Sequence, residues 1–343
     1  MTSKTSAAGQ MPTLSDDLTV LRADFPAHKI WQEQTPGRSR YIARSLREDL
    51  NPHTVITSDL AELREALEPA RAAGRLPFTP AQPNIARMYD YWLHGKDHFS
   101  ADHAAADAIL EKFPEVARIA QANRAFLARA VRHVARQGIT QFVDLGSGLP
   151  ASPNTHEAAR EAAPGARVCY VDNDPVVLAH AQALLAIDDN VSVAAGDIRN
   201  PPAFLTDPAL TRLIDPATPA CVLLVSVLHF LTADQADAAV TAIRRWLAPG
   251  SYLVISAGTS TGTDPELVRC LQEAYGHTAP VTGRTAGEIA AWFDGFSLAR
   301  PGLVNVWAWR PTGPQRLPRH DFSGARFLAG VGRKPPVTPG WRP

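Results

Sequence analysis

The sequence predicts an α/β protein: a doubly wound sheet, N-terminal helices ahead of it, and a small ββα-type module at the front. Three observations carry this. From Gln141 onward, short and almost wholly apolar segments alternate with helical stretches, which indicates a parallel sheet covered on both faces. The first apolar segment, FVDLGSGLP (Phe142 to Pro150), runs into glycines. The second, VCYVDNDP, ends in acids, and in open α/β sheets ligands sit outside the carboxyl ends of the strands.

Along the chain, residues 1–17 are small and polar and read as a disordered tail. HKIWQEQ and SRYIARSL, joined by the turn residues TPGR, read as two strands, and TVIT as a third. Asp59, with Glu62 three residues on, caps the helix LAELREALEPARAAG. Residues 18–76 are therefore expected to form a small α+β accessory module, and the prolines of RLPFTPAQP place a linker at 77–83. One domain follows at 84–337. Its part 84–137 is helical, with Ile85, Met88 and Trp92 on one apolar face, and 138–337 is the α/β core. Strands are expected at 141–145, 167–172, 191–195, 220–227 and 251–257, with helices at about 155–163, 175–186, 233–247 and 264–275. GLVNVWAW and ARFLAGVG are separated by a proline-rich loop with no helix, and are expected to close one edge as an antiparallel pair.

Composition narrows the function. The 343 residues are 45% hydrophobic and 20% charged, which is ordinary for a globular protein. Thirty-four basic residues balance 34 acidic ones, so no global field favours nucleic acid or an anionic membrane. Cys169, Cys221 and Cys270 lie far apart and read as free thiols. The longest apolar run, Ala220 to Leu231, is too short to span a bilayer, and the N-terminus lacks an apolar signal core. A cytoplasmic protein with neither a nucleic-acid nor a membrane partner is expected.

The glycine loop is the most informative stretch. Asp144-Leu145-Gly146-Ser147-Gly148 ends the first core strand, and glycine lets backbone approach a ligand where a Cβ would collide. Asp172 ends the second strand, placed to accept from both hydroxyls of a ribose, so a bound nucleoside is expected. Gly146, Gly148 and Ala151 nominally satisfy the dinucleotide fingerprint. Three details oppose that reading. Asp144 would repel a pyrophosphate. Pro150 and Pro153 delay the next helix to about Asn154 or Thr155, away from where a pyrophosphate would sit. The third strand also ends in an acid, in Gly196-Asp197-Ile198. Acids at three successive strand ends suit a cationic ligand rich in donors, and S-adenosylmethionine carries a sulfonium, an ammonium, two ribose hydroxyls and an adenine amine.

FVDLGSGLPASPNTHEAA, ARVCYVDNDPVVLAHAQALL and GDIRNP closely resemble the actinobacterial S-adenosylmethionine-dependent methyltransferases once grouped as a domain of unknown function. PNIARMYDYWLHGKDHFSADHAAAD, ANRAFLARAVR, PGLVNVWAWRP and FLAGVGRKP extend the likeness over about Pro83 to Pro335. In that family a proline follows the second glycine, as Pro150 does here. The resemblance implies a class I methyltransferase-like sheet of seven strands, the last antiparallel. It also implies that Asp144, Gly146 and Gly148 wrap the methionine part of the cofactor, with Ser226 facing it. Asp172 would hold the ribose with Asn173 beside it, and Asp197 and Ile198 would meet the adenine. The segment 84–130 would pack over the cleft, making Tyr89, Asp90, Lys96 and Arg124 candidates for closing it or gripping the cofactor carboxylate. Residues before Pro83 fall outside the likeness; a homo-oligomer or protein partner would engage through them.

Methyl transfer from a sulfonium is an in-line displacement on an activated carbon, so the protein mainly aligns the reactants and keeps bulk water out. A small-molecule acceptor is expected. His229, just past the fourth strand, is the candidate general base, its alternative being a histidine packed at a strand–helix junction. RNPPAF (Arg199 to Phe204) superficially resembles a DNA amino-methyltransferase motif but reads as a turn. His94, Asp97, His98, Asp102 and His103 read as a polar helix junction and not as a metal site. The rival functions are a nicotinamide-dependent oxidoreductase, which Asp144 and Pro150 oppose, and a non-catalytic cofactor-binding sensor.

Overall fold

The computed structural model describes residues 14–25, 28–35, 38–45, 54–67, 80–276, 278–311 and 326–336. The chain divides into two compact units, Met1–Thr79 and Pro80–Pro343.

The first unit orders α1 (Leu14–Asp24), β1 (His28–Thr35), β2 (Arg38–Ser45), β3 (Thr54–Thr57) and α2 (Leu60–Leu67). The strands form an antiparallel sheet in the order β1-β2-β3. Ile30 pairs with Ala43 and Ala43 with Val55, so one face presents a row that packs with Leu21, Phe25, Leu63 and Leu67. Asp59 caps α2 as expected, its Oδ1 accepting from the amides of Ala61 (2.7 Å) and Glu62 (3.2 Å). The expected ββα order is corrected to αβββα. Residues 14–17, read as tail, begin a helix, because Leu18, Leu21 and Phe25 recur at helical spacing and pack into the module's core. The rest of that tail and the first part of the linker (77–79) lie outside the described residues.

The second unit opens with α3 (Ile85–Trp92), α4 (Ser100–Lys112) and α5 (Val116–Arg136). The core follows as β4 (Gln141–Leu145), α6 (Thr155–Arg160), β5 (Arg167–Asp172), α7 (Pro175–Leu184), β6 (Val191–Ala195), α8 (Pro201–Leu205), α9 (Pro208–Thr211) and β7 (Cys221–Val225). After a single 3-10 turn come α10 (Ala233–Trp246), β8 (Tyr252–Thr259), α11 (Pro265–Tyr275), α12 (Ala286–Ala291), β9 (Ser297–Leu298), β10 (Val304–Asn305) and β11 (Arg326–Arg333). The sheet runs β10-β11-β8-β7-β4-β5-β6, with β9 also on β11. The pairs β4–β5, β5–β6, β4–β7 and β7–β8 are parallel, while β11 runs antiparallel to β8 along its whole length. The chain reverses direction across the sheet between β4 and β7, the switch point at which such sheets bind ligands.

Successive strand residues feed two separate cores, as a pleated strand requires. Phe142, Val168, Tyr170 and Leu223 pack with α5. Val143, Cys169, Val171 and Leu224 pack on the other face with α10 and Trp292. A third cluster, with Met88, Trp92, Ile109, Phe113, Ile119 and Tyr275, joins α3, α4, α5 and α11.

Two expectations are met in part. GLVNVWAW and ARFLAGVG do pair antiparallel at the edge, Val304 with Ala329 and Asn305 with Leu328, but the first run makes only the two-residue β10: the chain then turns, and the buried Arg129 donates through Nη2 to Val306 O (2.6 Å) and through Nε to Trp309 O (2.9 Å). RNPPAF starts in a turn, Asn200 N donating to Asp197 O (2.8 Å), but the rest of it is helical. Asn200 precedes α8, whose first two positions are prolines, residues with φ preset for a helix start.

Candidate functional site

A cleft of about 490 Å³ opens at the carboxyl ends of β4, β5, β6 and β7, with α3, the turn after β7 and residues 278–280 as its other walls. Gly146 (φ +67°) and Gly148 (φ +64°) both lie in the left-handed region, which glycine enters without strain. Their surroundings differ. A Cβ on Gly146 would overlap Val227 Cγ1, whereas a Cβ on Gly148 would meet nothing within 4 Å. Gly146 is needed to close the loop onto the turn, and Gly148 leaves room on the ligand side.

The loop then runs to Asn154, and α6 starts at Thr155, where the prolines were expected to delay it. Thr155 Oγ1 donates to Asp144 Oδ2 at 2.6 Å. Burial raises the pKa of Asp144, opposed by that hydroxyl and by the charge of Arg124. Arg124, from α5, donates through Nη2 to Pro153 O (2.8 Å) and to Ala151 O, clamping the loop. Its Nε and the Ser147 Oγ are buried without partners, and both residues line the cleft.

At the tip of β5, Asp172 Oδ2 accepts from the Gly148 amide (2.9 Å), while Oδ1 accepts from the amides of Asn173 (2.8 Å) and Asp174 (3.0 Å). Burial nevertheless pushes its pKa up to about 6, against the pull of these amides. At the end of β6, a Cβ on Gly196 would lie 2.6 Å from Phe204 Cβ and 2.7 Å from Val171 Cγ1. Asp197 differs from its neighbours: both carboxylate oxygens sit 2.9 Å from Arg199 Nε, and that guanidinium holds its pKa below the usual range. Ile198 lines the cleft beside it.

Ser226 ends β7 with φ +64°, uncommon for a residue bearing a Cβ and a mark of functional strain. A chain of hydrogen bonds holds it. Its amide donates to Ser256 O and Oγ (both 3.1 Å), and Ser256 Oγ donates to Asn123 Oδ1 (2.6 Å). Asn123 Nδ2 donates to Tyr89 Oη (3.0 Å), which donates to Ala120 O (2.8 Å). Burial pushes the Tyr89 phenol up to about 12. Tyr89, Arg124, Asp144, Gly146, Gly148, Asp172, Asn173, Asp197, Ile198 and Ser226 thus all face one cleft.

His229 does not join them. It sits in the 3-10 turn Leu228–Phe230, with ring centroids 4.2 Å from Phe230 and 5.4 Å from Phe327, and Phe230 is the residue that reaches the cleft. Burial pushes its pKa down to about 4. Of the two readings of His229, this placement matches the histidine packed at a strand–helix junction. Lys96, which is exposed, is also outside the lining.

The histidine-rich junction is organised by Asp90. Its Oδ2 accepts from Asp97 N (3.0 Å) and pairs with His98 Nδ1 (2.9 Å). Burial raises the Asp90 pKa, against the His98 hydrogen bond. A Cβ on Gly95 would overlap the Asp90 carboxylate, so glycine is what lets the loop wrap it.

Sequence reasoning passed over Arg87. This buried guanidinium pairs with Asp102 (2.9 Å) and Asp174 (3.3 Å), donates to Gln82 O (2.7 Å) and lies 5.2 Å from the Phe99 ring. Asp174 caps α7 and donates its amide to Asp172, so Arg87 ties α3 and α4 to the loop carrying the ribose candidate. No local pattern announces such a pairing, because its partners are 15 and 87 residues away. Asn123, Phe230 and Thr278 in the lining were missed for the same reason.

A family model described as S-adenosyl methyltransferase matches residues 73–335. The crystal structure of a candidate methyltransferase from Thermobifida fusca is 43% identical, covering 74% of this chain and 96% of its own, with a TM-score of 0.70. A DUF574 family protein from Streptomyces avermitilis is 36% identical, covering 74% of this chain and 98% of its own, also at 0.70. No curated protein matches the chain. No helix among the described residues is long and apolar enough to cross a membrane.

Proposed function

Because the chain belongs to the S-adenosyl methyltransferase family, we propose that its cleft receives S-adenosylmethionine across the ends of β4–β7 and a small-molecule methyl acceptor against α3. The enzyme is an S-adenosylmethionine-dependent methyltransferase. The observation that carries it is Asp172, a buried acid at the tip of β5 bonded to the Gly148 amide. An acid held there meets a ribose while fixing the loop that passes the methionine end.

The bound cofactor supplies a methyl group on a sulfonium, already activated for displacement. The chain's residues do the placing. Asp172, with Asn173 beside it, accepts from the ribose hydroxyls. Asp197 and Ile198 flank the adenine. Arg124 and Ser147 line the end of the cleft that takes the cofactor carboxylate, and Asp144 and Ser226 border its amino-acid end. Carboxylates from three strands suit a cation, and the apolar walls limit water. His229, packed against Phe230 and Phe327 and absent from the lining, is given no part in the transfer.

Calorimetric titration with S-adenosylmethionine, S-adenosylhomocysteine and NAD tests this. Micromolar binding of the first two and none of NAD is expected; binding of NAD alone would overturn the assignment of the loop.

A further inference from the structure

Resting on that reading, we infer that the methyl acceptor is an uncharged molecule with an aromatic body, seated between α3 and the turn after β7. The cleft has two chemically different sides. The strand ends of β4, β5 and β6 carry Asp144, Asp172 and Asp197, and the two lining arginines are tied to the loops there. Arg124 is held by the carbonyls of Ala151 and Pro153, and Arg199 by Asp197. The charges of S-adenosylmethionine belong on that side.

The other side is an extension of the helical core. Tyr89, Leu93 and Phe230 line the cleft, and all three pack against the cluster that holds Met88, Trp92, Ile109 and Tyr275. The Phe230 ring lies 5.6 Å from that of Tyr275, which in turn lies 6.3 Å from Trp92. Leu231 and Pro280 continue the apolar surface. Rings fixed in this way offer stacked or edge-on contact to a flat partner.

The polar groups of this wall are largely taken by the protein itself. Asp90 belongs to the lining, but its carboxylate is turned into the 95–98 loop, where it accepts from Asp97 N (3.0 Å) and pairs with His98 Nδ1 (2.9 Å). Tyr89 Oη accepts from Asn123 Nδ2 (3.0 Å) and donates to Ala120 O (2.8 Å). Asn84 Oδ1 accepts from Ala86 N (2.7 Å), and Gln235 Oε1 from Thr232 N (3.1 Å). Among the described residues of this wall no lysine, arginine or histidine lines the cleft. An ionised acceptor would give up its water here with no opposite charge to replace it, which is costly. A neutral aromatic body gives up little and gains apolar burial. Thr278 brings one neutral hydroxyl to the lining, and a few such groups serve to orient a ligand in an apolar pocket.

The test uses the full chain saturated with S-adenosylhomocysteine and two matched series of probes at about pH 7, where the acids and amines are ionised. One series is 2-phenylethanol, phenylacetate and 2-phenylethylamine; the other is tryptophol, indole-3-acetate and tryptamine. Failure to saturate would count against the cofactor reading; behaviour of the probes on the saturated protein decides the acceptor class. Calorimetry is expected to give each alcohol binding at least about tenfold tighter than its acid and its amine, a difference of about 1.4 kcal/mol. Leu93→Lys adds a cation to the wall and is expected to improve the acids at least about tenfold relative to the alcohols, while the amines stay behind. Either ion binding as tightly as its alcohol, neither alcohol binding at millimolar concentration, or an order of affinities that Leu93→Lys leaves unchanged would each overturn the inference. Should Leu93→Lys fail to fold, the two series on the wild-type chain decide alone.

Discussion

Asp172 holds the glycine loop in place through the Gly148 amide, which gives the residue two effects of opposite sign. Its pKa of about 6 in the fold lies above its ordinary 3.8. The folded chain therefore keeps this proton more tightly than the unfolded chain, and the stabilising contribution, complete below pH 3.8, is lost as pH rises through 6. Cofactor binding runs the other way, because only the carboxylate accepts from both hydroxyls. Affinity should hold steady above about pH 7 and fall as pH drops through 6; calorimetry giving a flat profile down to pH 5 would refute the role. Asp172→Ala is expected to weaken the cofactor by about 1–3 kcal/mol, and unchanged affinity in a folded variant would mean that the acid does not touch the ribose. The two loop glycines separate in the same way. Both substitutions to alanine incur about 1–2 kcal/mol of left-handed strain, but Gly146→Ala also collides with Val227. Thermal unfolding should show Gly146→Ala as the less stable, with Gly148→Ala losing mainly cofactor affinity. Residues of this kind were legible, because an acid and two glycines at strand ends follow from local spacing. For His229 the sequence left two readings open, since one of the rings that pack on it, Phe327, comes almost a hundred positions later.

At the scale of elements, Arg87 ties the helical segment to the loop after β5. Arg87→Met would leave Asp102 and Asp174 as buried carboxylates facing each other without a cation. Removing one partner of a buried pair costs about 3–5 kcal/mol, and denaturant unfolding should show a loss of that order. A loss below about 1 kcal/mol would mean that water or local rearrangement supplies the missing charge balance. The core strands β4, β5 and β6 were legible to the residue, because each is a short, mostly apolar run bounded by turn residues; β4 and β5 are buried on both faces, and β6 is a half-buried edge strand. Strand β10 was not. Val304 to Trp309 reads as a strand by composition, yet a guanidinium from α5 claims its carbonyls, and such a long-range hydrogen bond leaves no local trace.

At the scale of the molecule, the two solved relatives align over 96% and 98% of their own lengths with 74% of this chain, so they match the methyltransferase unit and little else. Residues 80–343 made as a separate chain should bind S-adenosylhomocysteine as tightly as the full chain. A loss beyond about tenfold would mean that the first unit contributes to the site. The strand order carries a consequence for synthesis. Strand β11 fills the place beside β8 with eight residues of antiparallel pairing, Arg326↔Thr259 through Arg333↔Tyr252. On the ribosome, β8 emerges well before that partner, and its outer edge has unmet amides and carbonyls until Arg333 has been made. An open apolar edge invites pairing with other chains. A stop codon anywhere between Thr259 and Arg326 would therefore leave a nascent chain dependent on chaperones, although every acid and glycine of the cleft had already been translated.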